Sequence, residues 1–245
     1  MKWPKQPRLR QTKVALFGTS ADPPHLGHQS ILSWLAREFD QVAVWAADNP
    51  YKSEQSPIRD RAQMLRLLIN TLPPSSKGAI TNVSVNQSLS DRYSINSIAR
   101  ARKIWPKANF SFVVGADLLA QLPKWYQAKA IFDQVDILVF PRPGYPTQGP
   151  ALSALQQVAT VHIAHPPNQY DVSSSDVRQT HCTDNGADNG ADNGADNSAD
   201  NDTDNHTAAS THPQTIPPVI RDYITEHDLY SCLQPTSKAK ISTRR

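Results

Sequence analysis

Two histidines three residues apart, His25 and His28, form the most chemically suggestive pair in this 245-residue chain. Gly27 stands between them, and the small residues Gly-Thr-Ser at 18–20 precede them. Imidazole N–H groups donate hydrogen bonds, and two of them placed so close together can bind one anion. The pair lacks the accompanying ligands of a metal site, so the pattern predicts an anion site.

The residues on either side of this pair predict a junction between a strand and a helix. Residues 14–17 form an apolar run with the length of one buried strand. After His28, apolar residues recur about one helical turn apart. Backbone N–H groups of the turn and of the helix N-terminus would point at one place, which favours a phosphate. A strand–glycine–helix junction is also common where no phosphate binds, and the segment has neither of the two glycine-rich phosphate motifs, G-x-x-x-x-G-K-[ST] and G-x-G-x-x-G.

A second candidate anion site lies much further along the chain. Ser173, Ser174 and Ser175 precede a helical pattern, and Arg178 stands at the end of its first turn. Hydroxyls, free N–H groups and a guanidinium at one helix start can bind a phosphate. The alternative is an ordinary serine cap beside a solvent-exposed arginine.

Three further residues with useful chemistry follow predicted strands. Lys52, Asp117 and Arg142 come shortly after apolar runs that end at positions 46, 114 and 140. Ligands bind where the carboxyl ends of parallel strands meet, and there Lys52 and Arg142 can reach a phosphate. Asp117, after Gly115, can accept a hydrogen bond from a ribose hydroxyl or cap a helix. Taken alone, Lys52 is more simply interpreted as an ordinary exposed loop lysine.

The order of the predicted elements indicates an α/β fold. Strands are predicted at 14–17, 42–46, 79–85, 110–114, 135–140 and 161–164. Helices are predicted after His28 and at 59–72, 95–104 and 152–158. Ser94 is the expected N-cap of the helix at 95–104, and the arginines of 59–72 are expected to face solvent. This alternation is typical of a doubly wound, mostly parallel, Rossmann-like sheet in a single domain.

Composition narrows the class of protein. The length suits one large domain, or a domain with disordered pieces. Cys182 and Cys232 have neither a disulfide nor a metal-ligand spacing, which favours a reducing, cytoplasmic location. The basic N-terminus lacks the apolar core of a signal peptide, and no apolar run reaches membrane-spanning length. We therefore expect no membrane association.

The charge is unevenly distributed. The formal net charge is +3, yet residues 183–207 contain seven aspartates and no lysine or arginine, which leaves +10 on the remainder. A basic remainder fits small polyanionic substrates, and its dispersed cations argue against nucleic acid. Asp-Asn recurs every four residues from 184 to 204, in a composition that favours neither helix nor strand. A calcium site is the alternative for this repeat, although its period matches no standard calcium loop.

These observations predict the domain organisation. We expect one domain over residues 13–233, interrupted at about 182–212 by a disordered Asp/Asn/Gly insert. Flexible basic tails are expected at 1–12 and 234–245.

Several motifs, taken in order, resemble one family. HLGH after GTSADPP is similar to the H-x-G-H signature of the adenylyltransferase superfamily, and the segment resembles the opening of bacterial nicotinate-mononucleotide adenylyltransferases. The further motifs similar to that family are PYK at 50–52, DRYS at 91–94, GADLLAQLPKWYQ at 115–127, RPG at 142–144, DVSSSDVR at 171–178 and IPPVIRDYI at 216–224. The resemblance spans residues 13–233 and implies the nucleotidyltransferase (adenine nucleotide α-hydrolase-like) fold.

The resemblance implies an enzyme that joins ATP and nicotinate mononucleotide into nicotinate adenine dinucleotide and pyrophosphate. Mg²⁺ would arrive with ATP, and no metal site on the protein is expected. The implied catalytic residues are His25, His28, Lys52 and Arg178. The implied ATP-binding residues are Gly18, Thr19, Ser20, His25, Gly27, His28, Gly115, Asp117, Arg142, Ser174, Ser175 and Arg178. The implied pyridine-nucleotide-binding residues are Lys52, Ser94, Trp125 and Tyr126.

Other functions stay open at this point. Trp125 would stack on the pyridine ring by the resemblance, whereas a lone tryptophan more often packs in a core. A related nucleotidyltransferase could use nicotinamide mononucleotide or phosphopantetheine as acceptor. A non-catalytic nucleotide-binding protein is the alternative from another class, and a homo-oligomer is one option for the assembly.

Overall fold

The computed structural model describes residues 10–48, 55–74, 78–167, 172–179 and 215–230. Within them the strands are β1 (Lys13–Thr19), β2 (Gln41–Ala46), β3 (Val83–Val85), β4 (Asn109–Gly115), β5 (Asp136–Phe140) and β6 (Val161–Ile163). The α-helices are α1 (Leu26–Glu38), α2 (Ile58–Asn70), α3 (Ser94–Ile104), α4 (Ala128–Phe132), α5 (Pro150–Gln156), α6 (174–179) and α7 (Pro218–Glu226).

The strands form one parallel sheet in the order β3-β2-β1-β4-β5-β6. Each neighbouring pair of these strands is parallel. The chain builds outward from β1 to β3 and then crosses to the other side of β1 to place β4. The prediction of a doubly wound α/β sheet is therefore confirmed. The crevice beyond the carboxyl ends of β1 and β4 lies where the strand order reverses, which is where ligands bind in such sheets.

Burial on both faces of the sheet explains why the strands appear in the sequence as continuous apolar runs. In β1, Val14 and Leu16 belong to one hydrophobic cluster, which also contains residues of α3, α4 and α5. Ala15 and Phe17 belong to the other, with residues of α1, α2, α6 and α7. Side chains alternate between the faces along a strand, so both sets must be apolar.

The segment at 215–230 packs on the same core as the strands. Ile216, Ile220 and Ile224 are buried in the cluster that contains Ala15 and Phe17. The predicted insert, residues 1–9 of the predicted N-terminal tail, the predicted C-terminal tail, Cys182 and Cys232 lie outside the described residues, so the domain boundaries stay a prediction. In the described part of the chain, no helix is both long enough and apolar enough to cross a membrane.

The predicted starts of α1 and β3 are wrong. Helix α1 begins at Leu26, so His28 lies inside its first turn rather than before it. Strand β3 comprises only Val83–Val85, not residues 79–85. Asn82, the residue before the strand, donates through its side chain to two carbonyls at the end of α1.

Candidate active site

A cleft of about 1210 Å³ lies at the carboxyl edge of the sheet. It brings together every predicted site residue that the structure describes: Gly18, Thr19, Ser20, His25, Gly27, His28, Ser94, Gly115, Asp117, Trp125, Tyr126, Arg142, Ser174, Ser175 and Arg178. Lys52, the remaining member of the predicted set, lies outside the described residues.

The two histidines cap helix α1. His25 is the N-cap, and its Nδ1 accepts a hydrogen bond from the N–H of Gly27 at 3.1 Å. In return, Nδ1 of His28 accepts from the N–H of His25 at 3.3 Å. Serine, threonine or an acidic side chain usually makes these capping bonds. Because both Nδ1 atoms accept, the proton of each neutral ring is assigned to Nε2, and Nε2 of His28 lies 3.0 Å from the hydroxyl of Thr19.

His25 is neutral in the folded protein. Only 6% of the residue is exposed, and this burial is the main reason why its pKa falls from 6.5 to about 4. The positive charge of Arg142 lowers the pKa further, while the carboxylate of Asp176 opposes the shift. The ring therefore presents a neutral Nε2–H donor at pH 7, rather than an imidazolium.

The serine–arginine segment docks on the turn that precedes His25. The hydroxyl of Ser174 donates to the carbonyl of Pro23 at 2.9 Å, and Nη1 of Arg178 donates to the carbonyl of Asp22. Nη2 of Arg178 also lies 3.3 Å from the hydroxyl of Ser175. The structure thus places these two segments, which are distant in the sequence, on one cleft.

The expected serine cap of α6 is also present. Ser173 and Asp176 make a reciprocal pair, in which the Ser173 hydroxyl accepts from the N–H of Asp176 at 3.2 Å and the carboxylate accepts from the N–H of Ser173 at 3.0 Å. The carboxylate also accepts from the Ser173 hydroxyl at 2.7 Å, and this bond, followed by the one from the Ser173 N–H, lowers the pKa of Asp176 and keeps the carboxylate charged. Ser173 therefore holds the helix start, and it lines the cleft together with Ser174, Ser175 and Arg178.

At the ends of β4 and β5, Asp117 and Arg142 face each other. Nη1 of Arg142 lies 3.0 Å from Oδ2 of Asp117. The other oxygen, Oδ1, is buried and has no hydrogen-bond partner among the described residues. A Cβ on Gly115 would lie only 2.3 Å from this Oδ1, so any larger residue there would displace the carboxylate. A buried carboxylate oxygen without a donor is suited to accept a hydroxyl hydrogen bond from a ligand.

The far end of the cleft is aromatic. The ring of Trp125 packs edge-to-face on Phe112, with 6.1 Å between the ring centroids. Trp125 therefore both lines the cleft and packs against the hydrophobic core. Tyr126 is largely exposed, with its ring 4.6 Å from that of Tyr93. Ser94 is not the N-cap of α3 as predicted. It is the first helical residue, because Tyr93 takes the extended backbone conformation of the cap.

Sequence reasoning missed one group of buried charges beneath the cleft. Arg61, expected to face solvent, is only 3% exposed and donates to the carbonyls of Ser20, Ala47 and Ser56. Arg61 precedes two buried leucines by four and seven residues, so helical periodicity did place it on the apolar face of α2. The prediction is wrong because three backbone carbonyls accept from the guanidinium of Arg61, and these hydrogen bonds replace those it would make to water.

A buried carboxylate and a tyrosine complete this group. Asp22 is 2% exposed and accepts from the hydroxyl of Tyr230 at 2.6 Å and from the N–H of Ser56 at 3.3 Å. No signal in the sequence indicated that Asp22 and Tyr230 meet. Within the described part of the chain, no group of three or more histidine, cysteine, aspartate or glutamate side chains is placed to hold a metal ion.

Comparisons with known proteins agree on one family. The cytidylyltransferase-like family model matches residues 16–180. A probable nicotinate-nucleotide adenylyltransferase of Synechocystis is 44% identical over 154 residues, which are 60% of this chain and 75% of that protein. A protein of the same name from Parvibaculum lavamentivorans is 31% identical over 152 residues, with 60% and 74% covered.

A solved structure shares the fold of this chain. The nicotinic acid mononucleotide adenylyltransferase of Plasmodium falciparum, complexed with NaAD, superposes with a TM-score of 0.67 at 16% identity, covering 90% of this chain and 98% of that one. At this identity the likeness concerns the fold alone. The family model and the relatives show that the chain belongs to the cytidylyltransferase-like family and, within it, to the nicotinate-nucleotide adenylyltransferases.

Proposed function

We propose that this enzyme transfers the adenylyl group of ATP to nicotinate mononucleotide, releasing pyrophosphate and forming nicotinate adenine dinucleotide. The observation that carries the proposal is the docking of the serine–arginine segment on the turn before His25, which puts two anion-binding segments on one cleft. The names of the relatives supply the pyridine nucleotide as acceptor.

The reaction needs positioning more than proton transfer. A phosphate oxygen of the mononucleotide forms a bond with the α-phosphorus of ATP, and the bond from that phosphorus to the bridging oxygen breaks. Pyrophosphate leaves with the electron pair. Because the nucleophile is already an anion, no strong general base is required. The protein contributes by aligning the two substrates and by neutralising charge on the leaving group.

Each proposed phosphate contact follows from a group on the cleft. The neutral Nε2–H of His25 and the ring of His28 donate near the α-phosphate, with Gly18, Thr19, Ser20 and Gly27 supplying backbone and hydroxyl donors from the same turn. Ser174, Ser175 and Arg178 bind the β- and γ-phosphates from the segment that docks on the turn before His25. Mg²⁺ enters as part of the MgATP substrate, bound mainly by phosphate and water.

Proposed contacts to the nucleoside lie between β4 and β5. Oδ1 of Asp117 accepts from a ribose hydroxyl of ATP, which would satisfy a buried oxygen that has no donor among the residues the structure describes. Gly115 leaves room for this carboxylate, and Arg142 holds it while facing the nucleotide.

The acceptor is proposed to bind at the aromatic end. Trp125 presents its ring to the pyridine, Tyr126 its backbone N–H to the carboxylate, and Ser94 a hydroxyl beside it. Lys52 is proposed to bind the phosphate of the acceptor, on the resemblance alone.

The test is pyrophosphate release from MgATP with each acceptor in turn. Nicotinate mononucleotide should support turnover with the highest kcat/KM. A preference for nicotinamide mononucleotide or phosphopantetheine would change the substrate but keep the reaction. ATP binding without turnover on any of the three would favour a non-catalytic nucleotide-binding protein.

The compartment and the assembly are narrower proposals. We place the enzyme in the cytoplasm, supported by its two cysteines without a disulfide spacing. A homo-oligomer is one option for the assembly, and sedimentation of the purified protein would test it.

A further inference from the structure

Tyr230 connects the C-terminal segment to the turn beneath the phosphates. Its hydroxyl donates to Oδ1 of Asp22 at 2.6 Å. The other carboxylate oxygen of Asp22 accepts from the N–H of Ser56 at 3.3 Å. Asp22 lines the cleft but is only 2% exposed, so its carboxylate depends on protein partners rather than on water.

The same turn carries the contacts of the serine–arginine segment. The backbone carbonyl of Asp22 accepts from Arg178, and the carbonyl of Pro23 accepts from Ser174. The position of the Arg178 guanidinium is therefore set partly by the position of this turn. If the Asp22 side chain loses a partner, the Asp22 carbonyl can move, and Arg178, which donates to that carbonyl and is proposed to hold the leaving pyrophosphate, moves with it.

The chain leaves this turn and returns to it. After Arg178 the described part of the chain resumes at Thr215, whose carbonyl accepts from the N–H of Leu26 at 2.9 Å. Fifteen residues later, Tyr230 bonds to Asp22. Both ends of the segment at 215–230, Thr215 and Tyr230, are thus hydrogen-bonded to residues 22–26 on either side of His25.

The backbone near the end of the segment is bent to make this contact. Tyr230 has φ +62° and Asp228 has φ +47°, in the left-handed region that residues other than glycine seldom adopt. Burial, followed by the hydrogen bond to Asp22, raises the pKa of the Tyr230 hydroxyl, so it remains a donor at neutral pH. Buried Arg61 lies close enough to attract the Asp22 charge.

We propose that Tyr230 is a positioning residue for adenylyl transfer: it holds the Asp22–Pro23 turn and, through it, sets Arg178 against the triphosphate of ATP. This inference rests on the proposed function. It assigns to the segment at 215–230, which lies beyond the family match at 16–180, a role in ATP binding.

A second tyrosine in the same segment gives a matched control. The hydroxyl of Tyr223 donates to Oδ1 of Asp60 at 3.0 Å, and Asp60 is also buried, at 6% exposed. Neither residue lines the cleft. Tyr223→Phe and Tyr230→Phe therefore remove the same kind of bond from the same segment, and only the second acts on the turn.

The experiment measures MgATP affinity by titration calorimetry, and kcat and KM with nicotinate mononucleotide, for the full-length variants. Tyr230→Phe should raise the Kd of MgATP about tenfold, as expected for the loss of a coupled contact. Its KM for the mononucleotide should change less than about twofold, since the acceptor is held at the other end of the cleft. Tyr223→Phe should leave all three constants within about twofold of wild type. Equal effects of the two variants, or an unchanged Kd in Tyr230→Phe, would overturn the proposal.

A double-mutant cycle tests the route through Arg178. In an Arg178→Ala background, Tyr230→Phe should no longer weaken MgATP binding, because the group that it positions is gone. An undiminished effect there would mean that Tyr230 acts by another route and would overturn the proposal.

Asp22→Asn supplies a second variant if Tyr230→Phe does not fold. Removing a negative charge beside a triphosphate should tighten MgATP binding if Asp22 acts only through its charge. If Asp22→Asn weakens MgATP binding, and if this weakening is absent in the Arg178→Ala background, the positioning role is supported. Tighter or unchanged MgATP binding in Asp22→Asn overturns it. MgATP affinity does not depend on the acceptor, so failure of wild type to form the dinucleotide would reject the proposed function separately.

Discussion

Replacing His25 with glutamine tests whether this buried ring is neutral in the folded protein. The pKa of His25 falls from 6.5 to about 4, chiefly because the ring is buried. Below pH 6.5 the unfolded chain binds a proton at this residue that the folded chain does not bind until about pH 4. Acid therefore favours unfolding, and stability falls as the pH is lowered through this window.

The size of the effect follows from the pKa change. At about 1.36 kcal/mol per pH unit, His25 alone should lower the free energy of unfolding of wild type by about 2 kcal/mol at pH 5 and about 3 kcal/mol at pH 4. His25→Gln cannot titrate. The variant should be less stable than wild type at pH 7.5, because it loses the capping bond to Gly27, but this difference should shrink as the pH falls.

Urea denaturation of both proteins at pH 7.5, 6, 5 and 4 measures the difference. Ser33→Ala is the control, since Ser33 is a buried polar residue of the same helix that does not titrate. Its stability difference from wild type should be independent of pH. A His25→Gln difference that is also constant with pH would refute the assignment of a neutral, buried imidazole.

Four further outcomes are expected. His28→Ala should lower kcat by about 10²–10³-fold with a much smaller rise in ATP Kd, and equal losses would contradict a transition-state role. Arg61→Met should cost about 3–5 kcal/mol in urea denaturation, whereas Arg59→Met, on an exposed side chain, should cost less than about 0.5 kcal/mol. Gly115→Ala should raise the KM for ATP about tenfold by displacing the neighbouring carboxylate, and an unchanged KM would argue against ribose binding there. Deletion of residues 183–210 should leave turnover nearly intact, and loss of folding would contradict the predicted disorder.

Local patterns in the amino-acid sequence were sufficient to predict most of the fold. The runs at 14–17, 42–46 and 110–114 predicted central strands because a strand buried on both faces must be apolar throughout. The prediction for the edge strand β3 was too long. Only Val83–Val85 pair with β2, and the side chain of the preceding residue, Asn82, is hydrogen-bonded to the end of α1. Ser94 was misassigned because the choice between neighbouring caps depends on backbone angles that composition does not specify.

The candidate cleft residues could be predicted because they occupy short motifs at the ends of strands. Parallel topology then brings those ends to one edge, and the structure finds each described member on the cleft. The buried group of Asp22, Arg61 and Tyr230 could not be predicted in this way. Its contacts join residues 208 positions apart, and no local spacing encodes such a pair.

The amino-acid sequence by itself determined the class of fold, the order of its elements and the identity of the cleft residues, because these depend on short-range periodicity and on motifs. Only the tertiary structure decided that His25 is neutral, that Arg61 is buried and that Tyr230 reaches Asp22. Burial, pKa and long-range hydrogen bonds depend on which surfaces exclude water together, and that is settled only when distant segments pack.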